Sequence, residues 1–193
     1  MRVLVGCEES QTVCKAFREK GHKAYSCDLL ECSGGHPEWH INGCVLEAIS
    51  QKWDLIILHP PCTALAVSGN AWYGDGMTKN KQRIESKKWT VHQAKKNASK
   101  VAMENPVGVL TQVLGKPYYI QPWQFGHPES KKTGLWLYNL SELKPTNNVY
   151  KQFKALPKNQ AQRLHYLPPS KDRAKIRSKT FKGIAKAMVD QWG

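Results

Sequence analysis

Apolar and polar positions follow two rhythms along this chain. Met1 to Gly6 is a short Val-rich run of the kind that forms a strand. Ser10 then stands where a helix N-cap is expected, and Val13, Ala16 and Phe17 recur at helical spacing before Gly21. Lys23 to Cys27 reads as a second strand ending in Asp28, so the first thirty residues form a strand, helix, strand unit. The clearest strand is Asp54-Leu55-Ile56-Ile57-Leu58, continuously apolar after its first residue, as a parallel strand buried on both faces should be. A polar segment with Gly69, Gly74 and Gly76 follows, and then a basic helical stretch over 79–98. Val101 to Met103 is another buried strand, ending at Glu104-Asn105-Pro106, and Ile120 to Trp123 and Gly134 to Tyr138 give shorter ones. Phe181, Ile184, Ala185, Met188 and Trp192 line one side of a C-terminal helix. The alternation predicts an α/β fold, a mostly parallel sheet with helices on both faces. Residues 1–193 read as a single domain, with 139–180, carrying four prolines and many lysines, as an irregular basic segment within it.

Composition supports one domain: 193 residues with 40% apolar content bury a single core. The apolar runs fall far short of the ~20 residues that cross a bilayer, so the expectation is a soluble, cytoplasmic protein without a membrane partner. The net charge of +14 is unevenly spread. Residues 79–100 carry eight Lys/Arg against one acid, and 151–193 carry eleven against two, so the other 128 residues sum to −2. A nearly neutral core with two basic appendages is the charge footprint of a phosphate-backbone partner, in place of the evenly solvated Lys face that serves solubility alone. All six cysteines lie in the first third and lack the spacing of a secreted disulfide scaffold, so they read as reduced thiols. Cys27, Cys32, His36 and His40 invite a zinc reading, but only three residues separate the pairs where zinc fingers place about a dozen. No metal is expected.

In open parallel sheets functional groups gather outside the carboxyl ends of the strands. Three sequence features sit there: Asp28, His59-Pro60-Pro61-Cys62 and Glu104-Asn105-Pro106. Two prolines directly after a buried strand cannot extend the ladder, so they present Cys62 at the rim of the sheet. An isolated free cysteine is usually a small buried hydrophobe. A carboxyl at the next strand end changes that balance, because Glu104 in a pocket can stay protonated or share a proton, as acid catalysis on a ring nitrogen requires.

Pro60-Pro61-Cys62 and Glu104-Asn105-Pro106 resemble the Pro-Pro-Cys and Glu-Asn-Val signatures of the DNA cytosine-5 methyltransferases. Phe125-Gly126-His127-Pro128-Glu129-Ser130-Lys131-Lys132-Thr133 is similar to their Tyr-Gly-Val-Pro-Gln-x-Arg-x-Arg segment, in the same order along the chain. The whole sequence, including Arg177-Ser178-Lys179-Thr180-Phe181-Lys182-Gly183-Ile184-Ala185, looks like the short DNA-cytosine-methylase-like proteins of phages and mobile elements. The resemblance implies a Rossmann-like methyltransferase fold. It implies a covalent mechanism in which Cys62 adds to cytosine C6, Glu104 contacts N3, and C5 takes a methyl group from S-adenosylmethionine, with Lys131 in the first arginine position helping to hold base or phosphate. The substrate would be duplex DNA with a flipped cytosine.

Cofactor contacts implied by the resemblance fall on Gly6, Ser10, Asp28, Cys44, His59 and Pro60. Cys44 replaces the acid of the family's Gly-Asp pair, Glu129 its glutamine and Thr133 its second arginine. The 139–180 stretch is too short for the separate target-recognition domain of the larger enzymes, which leaves DNA contact to the basic segments: Trp72, Lys79, Lys81, Arg83, Lys87 and Lys88 on one side of a cleft, and Lys171, Arg173, Arg177 and Lys179 on the other. Two other readings share these residues. One keeps the cysteine chemistry but uses a modified donor, a free nucleotide or RNA, and Cys44 is the feature behind it. The other is a DNA-binding protein without catalysis on the same scaffold, which the joint presence of Cys62 and Glu104 argues against.

Overall fold

Residues buried on both faces of a strand have no polar side to turn to water, and Val3, Leu4 and Val5, like Leu55, Ile56 and Ile57, are fully buried in the middle of the molecule. The computed structural model describes residues 1–91 and 97–193, with side chains described outside 87–91. Its centre is a seven-stranded sheet in the order β3-β2-β1-β4-β5-β7-β6. The strands are β1 (Arg2–Gly6), β2 (Lys23–Asp28), β3 (His40–Asn42), β4 (Trp53–Leu58), β5 (Ala98–Pro106), β6 (Tyr118–Ile120) and β7 (Thr133–Tyr138). The first five run parallel, while β7 is antiparallel to both β5 and β6.

Side chains alternate across this sheet and build two cores. Val3, Val5, Leu55, Ile57 and Ala102 meet α1 (Thr12–Glu19) and the C-terminal helix Lys182–Trp192, through Val13, Phe17, Ile184, Met188 and Trp192. Leu4, Ile56, Leu58, Val101 and Met103 face the other way, onto α2 (Val45–Ile49) and Leu65 and Leu110. Helices therefore cover both faces, as the strand and helix alternation predicts. Among the described residues no helix is long and apolar enough to cross a membrane.

Three local details differ from the sequence reading. Ser10 does not cap α1: its hydroxyl meets that of Thr12, and the buried Glu8 carboxylate accepts instead from the amides of Val13 (2.6 Å) and Cys14 (3.1 Å). The chain turns into the helix through left-handed backbone at Cys7 and Gln11, a geometry that capping preferences do not reveal. The short strand β3 is absent from the expectation because His40-Ile41-Asn42 carries too little periodicity to register. Residues 139–180 hold short helices at Tyr150–Ala155, Lys158–Ala161, Arg163–Tyr166 and Arg173–Ser178, where the prolines led to the expectation of irregular chain.

Candidate active site

The parallel strands direct five chain exits to one edge of the sheet: Gly6 to Gln11 after β1, Asp28 after β2, Gly43 and Cys44 after β3, His59 to Cys62 after β4, and Glu104 to Pro106 at the end of β5. Two of them are sewn together. Nδ1 of His59 lies 3.0 Å from Oε2 of Glu104, and Nδ2 of the buried Asn105 donates to the Pro60 carbonyl at 2.7 Å. Further along, the amide of Val67 donates to the Val107 carbonyl and that of Val109 to the Leu65 carbonyl, while Ala66 and Gly108 form a bridge. Gly108 is required there, since a Cβ would sit 2.0 Å from the Leu65 oxygen.

Arg83 completes this clamp from α3 (Asn80–Val91). Only 4% exposed, it donates to the carbonyls of Ala64 (2.6 Å) and Ala66 (3.3 Å) and to Oδ1 of Asn70 (2.9 Å). The expectation that Arg83 contacts DNA is thereby corrected. Its Nε and Nη2 donate to buried loop carbonyls just beyond Cys62 and its Nη1 to the Asn70 side chain. A lysine-rich helix gives no sequence signal for which of its cations turns inward.

Electrostatics differ sharply between the two chemical groups. Burial and the neighbouring Glu104 charge raise the Cys62 thiol above its ordinary value, opposed by Lys131, its own loop amide and Arg177. Burial likewise pushes the Glu104 carboxyl up, but the bond from His59, the Lys131 charge and the Thr133 hydroxyl outweigh it and hold the group below the usual carboxylate range. These directions favour the ionised form of Glu104 and the protonated form of Cys62, so of the two expectations for Glu104, a retained proton or a shared one, they favour sharing. Other thiols are more strongly suppressed: burial drives Cys7 and Cys14 up to about 12 and Cys27 up to about 11.

Lys131 reaches this centre from the loop before β7. Gln121 Oε1 accepts its amide at 3.1 Å, and its ammonium donates to the carbonyls of Ser178 (3.4 Å) and Lys179 (3.2 Å) at the end of the helix Arg173–Ser178. The C-terminal basic segment is thereby tied to the site, and Arg177 acts on Cys62 from it. Among its expected companions, Lys171 and Lys179 are exposed, whereas Arg173 is half-buried and donates to the Leu167 carbonyl. Across the site, Trp72 is 63% exposed and Lys79 and Lys81 are exposed, with the Lys79 ammonium 5.8 Å from the Tyr73 ring. The expectations for Lys87 and Lys88 lie outside the described side chains. Glu129 is paired with Arg163 at 3.0 Å and turned to that partner.

Of the residues expected to hold a nucleoside cofactor, Gly6, Ser10, Asp28 and Cys44 lie at the β1 to β3 exits and His59 and Pro60 at the β4 exit. Asp28 accepts the Leu30 amide on Oδ1 at 3.0 Å, and its second oxygen takes no hydrogen bond from the described residues, a donor-seeking carboxylate that fits a ribose diol. Its charge acts on Cys7, as do Cys27 and Cys44, so these groups share one corner. Cys44 opens α2 with its carbonyl engaged by Glu47 and Ala48. Gly6, expected at the cofactor, is also held to glycine by packing. A Cβ there would press on Val45 (2.5 Å) and Leu58 (2.7 Å), so internal packing already requires glycine. The carbonyl of Pro60 is occupied by Asn105, and the ring of His59 faces Glu104. Among the described residues no cluster of His, Cys, Asp and Glu has the arrangement of a metal site.

Strand order and the reversed β7 define the class: a Rossmann-like α/β fold. No family model and no curated protein matches the sequence. Among solved structures, the crystal structure of S. pombe Dnmt2 methyltransferase is similar to this chain with a TM-score of 0.48 and 15% identity. The match covers 89% of this chain and 62% of that one, so this chain spans under two thirds of its length.

Proposed function

We propose that this protein transfers a methyl group from S-adenosylmethionine to C5 of cytosine in DNA through a covalent bond between Cys62 and C6. The observation that carries the reading is the clamp between the β4 and β5 exits, which brings a partly exposed thiol and a bonded carboxylate to one rim of the sheet. A thiol at the rim is the nucleophile that a pyrimidine C6 needs, and its attack requires help at the ring nitrogen, which Glu104 gives.

Cys62 loses its proton to solvent as its sulfur bonds to C6, and the electron pair displaced from the C5–C6 bond is stabilised through N3 by Glu104. Lys131 and Arg177 favour the thiolate. When bound, S-adenosylmethionine supplies the electrophilic methyl carbon that C5 takes, and Asp28 holds its ribose. Departure of the C5 proton to water then expels Cys62 and restores the ring. Trp72, Lys79 and Lys81 on one side and Lys171, Arg177 and Lys179 on the other accept the strand bearing the flipped base, stacking and neutralising phosphate.

The test is incubation of DNA with labelled S-adenosylmethionine followed by nucleoside mass spectrometry. Labelled 5-methylcytosine made by the wild type and absent with Cys62→Ala is the expected result. DNA binding by both proteins with no modified nucleoside from either would overturn it in favour of a binding protein without catalysis.

A further inference from the structure

His59 precedes the two prolines, and its amide donates to the Gly6 carbonyl at 3.0 Å, so its backbone is fixed between β1 and β4. Its side chain, only 9% exposed, lies with Nδ1 3.0 Å from Oε2 of Glu104. Nε2 is buried and has no hydrogen-bond partner among the described residues. Two charged groups act on the ring, Glu104 from β5 and Glu8 from the loop after β1, while Lys131 from the loop before β7 and Cys62 from its own loop are coupled to Glu104. Glu8 has committed its two oxygens to the amides of Val13 and Cys14. Glu104 is therefore the carboxylate that takes the ring's proton-bearing nitrogen. An imidazole donating there occupies Oε2 and leaves Oε1 for a second donor.

Resting on the cytosine reading above and deepening it, we infer that His59 is a positioning residue that orients Glu104 through Nδ1 and supplies the proton that Glu104 passes to N3 of the base. The ionised Glu104 first takes the Nδ1 proton of the imidazolium, and the resulting carboxylic acid gives its proton to N3, which leaves Glu104 ionised again and the His59 ring neutral. When the Cys62–C6 bond breaks and the aromatic ring is restored, the N3 proton returns along the same path. No oxidant, reductant or further reactant enters this exchange. It also resolves a chemical conflict within the site, because an ionised Glu104 is a poor acid by itself and needs a partner that holds the proton one bond away.

Two measurements on the full chain test this. The first is nitrogen-15 NMR of the histidine side chains in the free protein, compared with Glu104→Ala. The proton of the neutral His59 ring is expected on Nδ1 in the wild type and redistributed in the variant; finding it on Nε2 in the wild type would overturn the geometry. The second is the pH profile of kcat for the wild type and His59→Asn, which keeps an N–H donor at the Nδ1 position but cannot give up its proton. His59→Asn is expected to lose about 100-fold in kcat with KM for DNA unchanged, and to lack the alkaline fall in kcat that deprotonation of the wild-type pair produces. Wild-type rate and profile in His59→Asn would overturn the relay. If the NMR result holds but the wild type forms no 5-methylcytosine, the cytosine reading fails, and the relay falls with it while the His59 to Glu104 bond stands.

Discussion

The two halves of the sheet edge are built differently. At the β4 and β5 exits the side chains and loop amides are tied to one another, His59 to Glu104, Asn105 to Pro60, Val67 and Val109 across the loops, and Arg83 to Ala64 and Ala66, with only Nε2 of His59 and Oδ1 of Asn105 buried without a partner among the described residues there. At the β2 exit Asp28 keeps an oxygen free of the described residues, and at the β3 exit Cys44 offers no strong polar side-chain group. The difference matches the two tasks of the proposed reaction. Bond formation to a base requires a nucleophile and an acid held in fixed relation before substrate arrives, since misplacement is costly in rate. Holding a diffusible cofactor requires groups left open for the ligand to satisfy.

Replacing Glu104 by Gln should be the most damaging change outside Cys62 itself. It is expected to lower kcat by about 10²–10⁴-fold with DNA affinity retained, measured by single-turnover methylation. An unchanged rate would mean that the clamp presents Cys62 alone. Arg83→Met is expected next: the Ala64 and Ala66 carbonyls lose their donors, which destabilises the protein by roughly 1–3 kcal/mol, read from denaturant unfolding. Equal loss of DNA binding and no loss of stability would return Arg83 to the DNA surface. Asp28→Asn is expected to weaken S-adenosylmethionine binding about tenfold by calorimetry while leaving the Cys62 chemistry intact at saturation.

The smallest effect is electrostatic. Cys62 should alkylate faster as pH rises, with its midpoint above that of a free thiol, because burial and Glu104 both oppose the thiolate. Removing the Glu104 charge moves that midpoint down, and Lys131→Ala moves it up. Peptide mass spectrometry after iodoacetamide pulses reads each cysteine separately. Cys7 and Cys14, raised to about 12, should remain nearly unlabelled in the native protein at pH 9. Movement of the Cys62 midpoint in the opposite direction in either variant would contradict the proposed charge arrangement.

Much of this edge is legible in the residues because strand ends follow from apolar runs: Asp54 to Leu58 locates β4, and Cys62 and Glu104 follow from where β4 and β5 stop. What the sequence hides depends on side-chain direction. Arg83 is one cation among several on a basic helix, and only the loop carbonyls opposite it decide that it turns inward. Glu8 is a better cap than Ser10 because Cys7 and Gln11 bend the backbone toward α1. His59 and Pro60 occupy positions that the resemblance gives to the cofactor, yet their groups are engaged with Glu104 and Asn105 across the clamp.

The most direct test of the central claim is trapping on duplex DNA containing 5-fluorocytosine with S-adenosylmethionine present. Fluorine at C5 cannot leave as a proton does, so the account predicts a denaturation-resistant adduct whose peptide map places the nucleotide on Cys62, absent in Cys62→Ala. A wild-type protein that binds this DNA and cofactor but yields no adduct, or one linked through another residue, would contradict it.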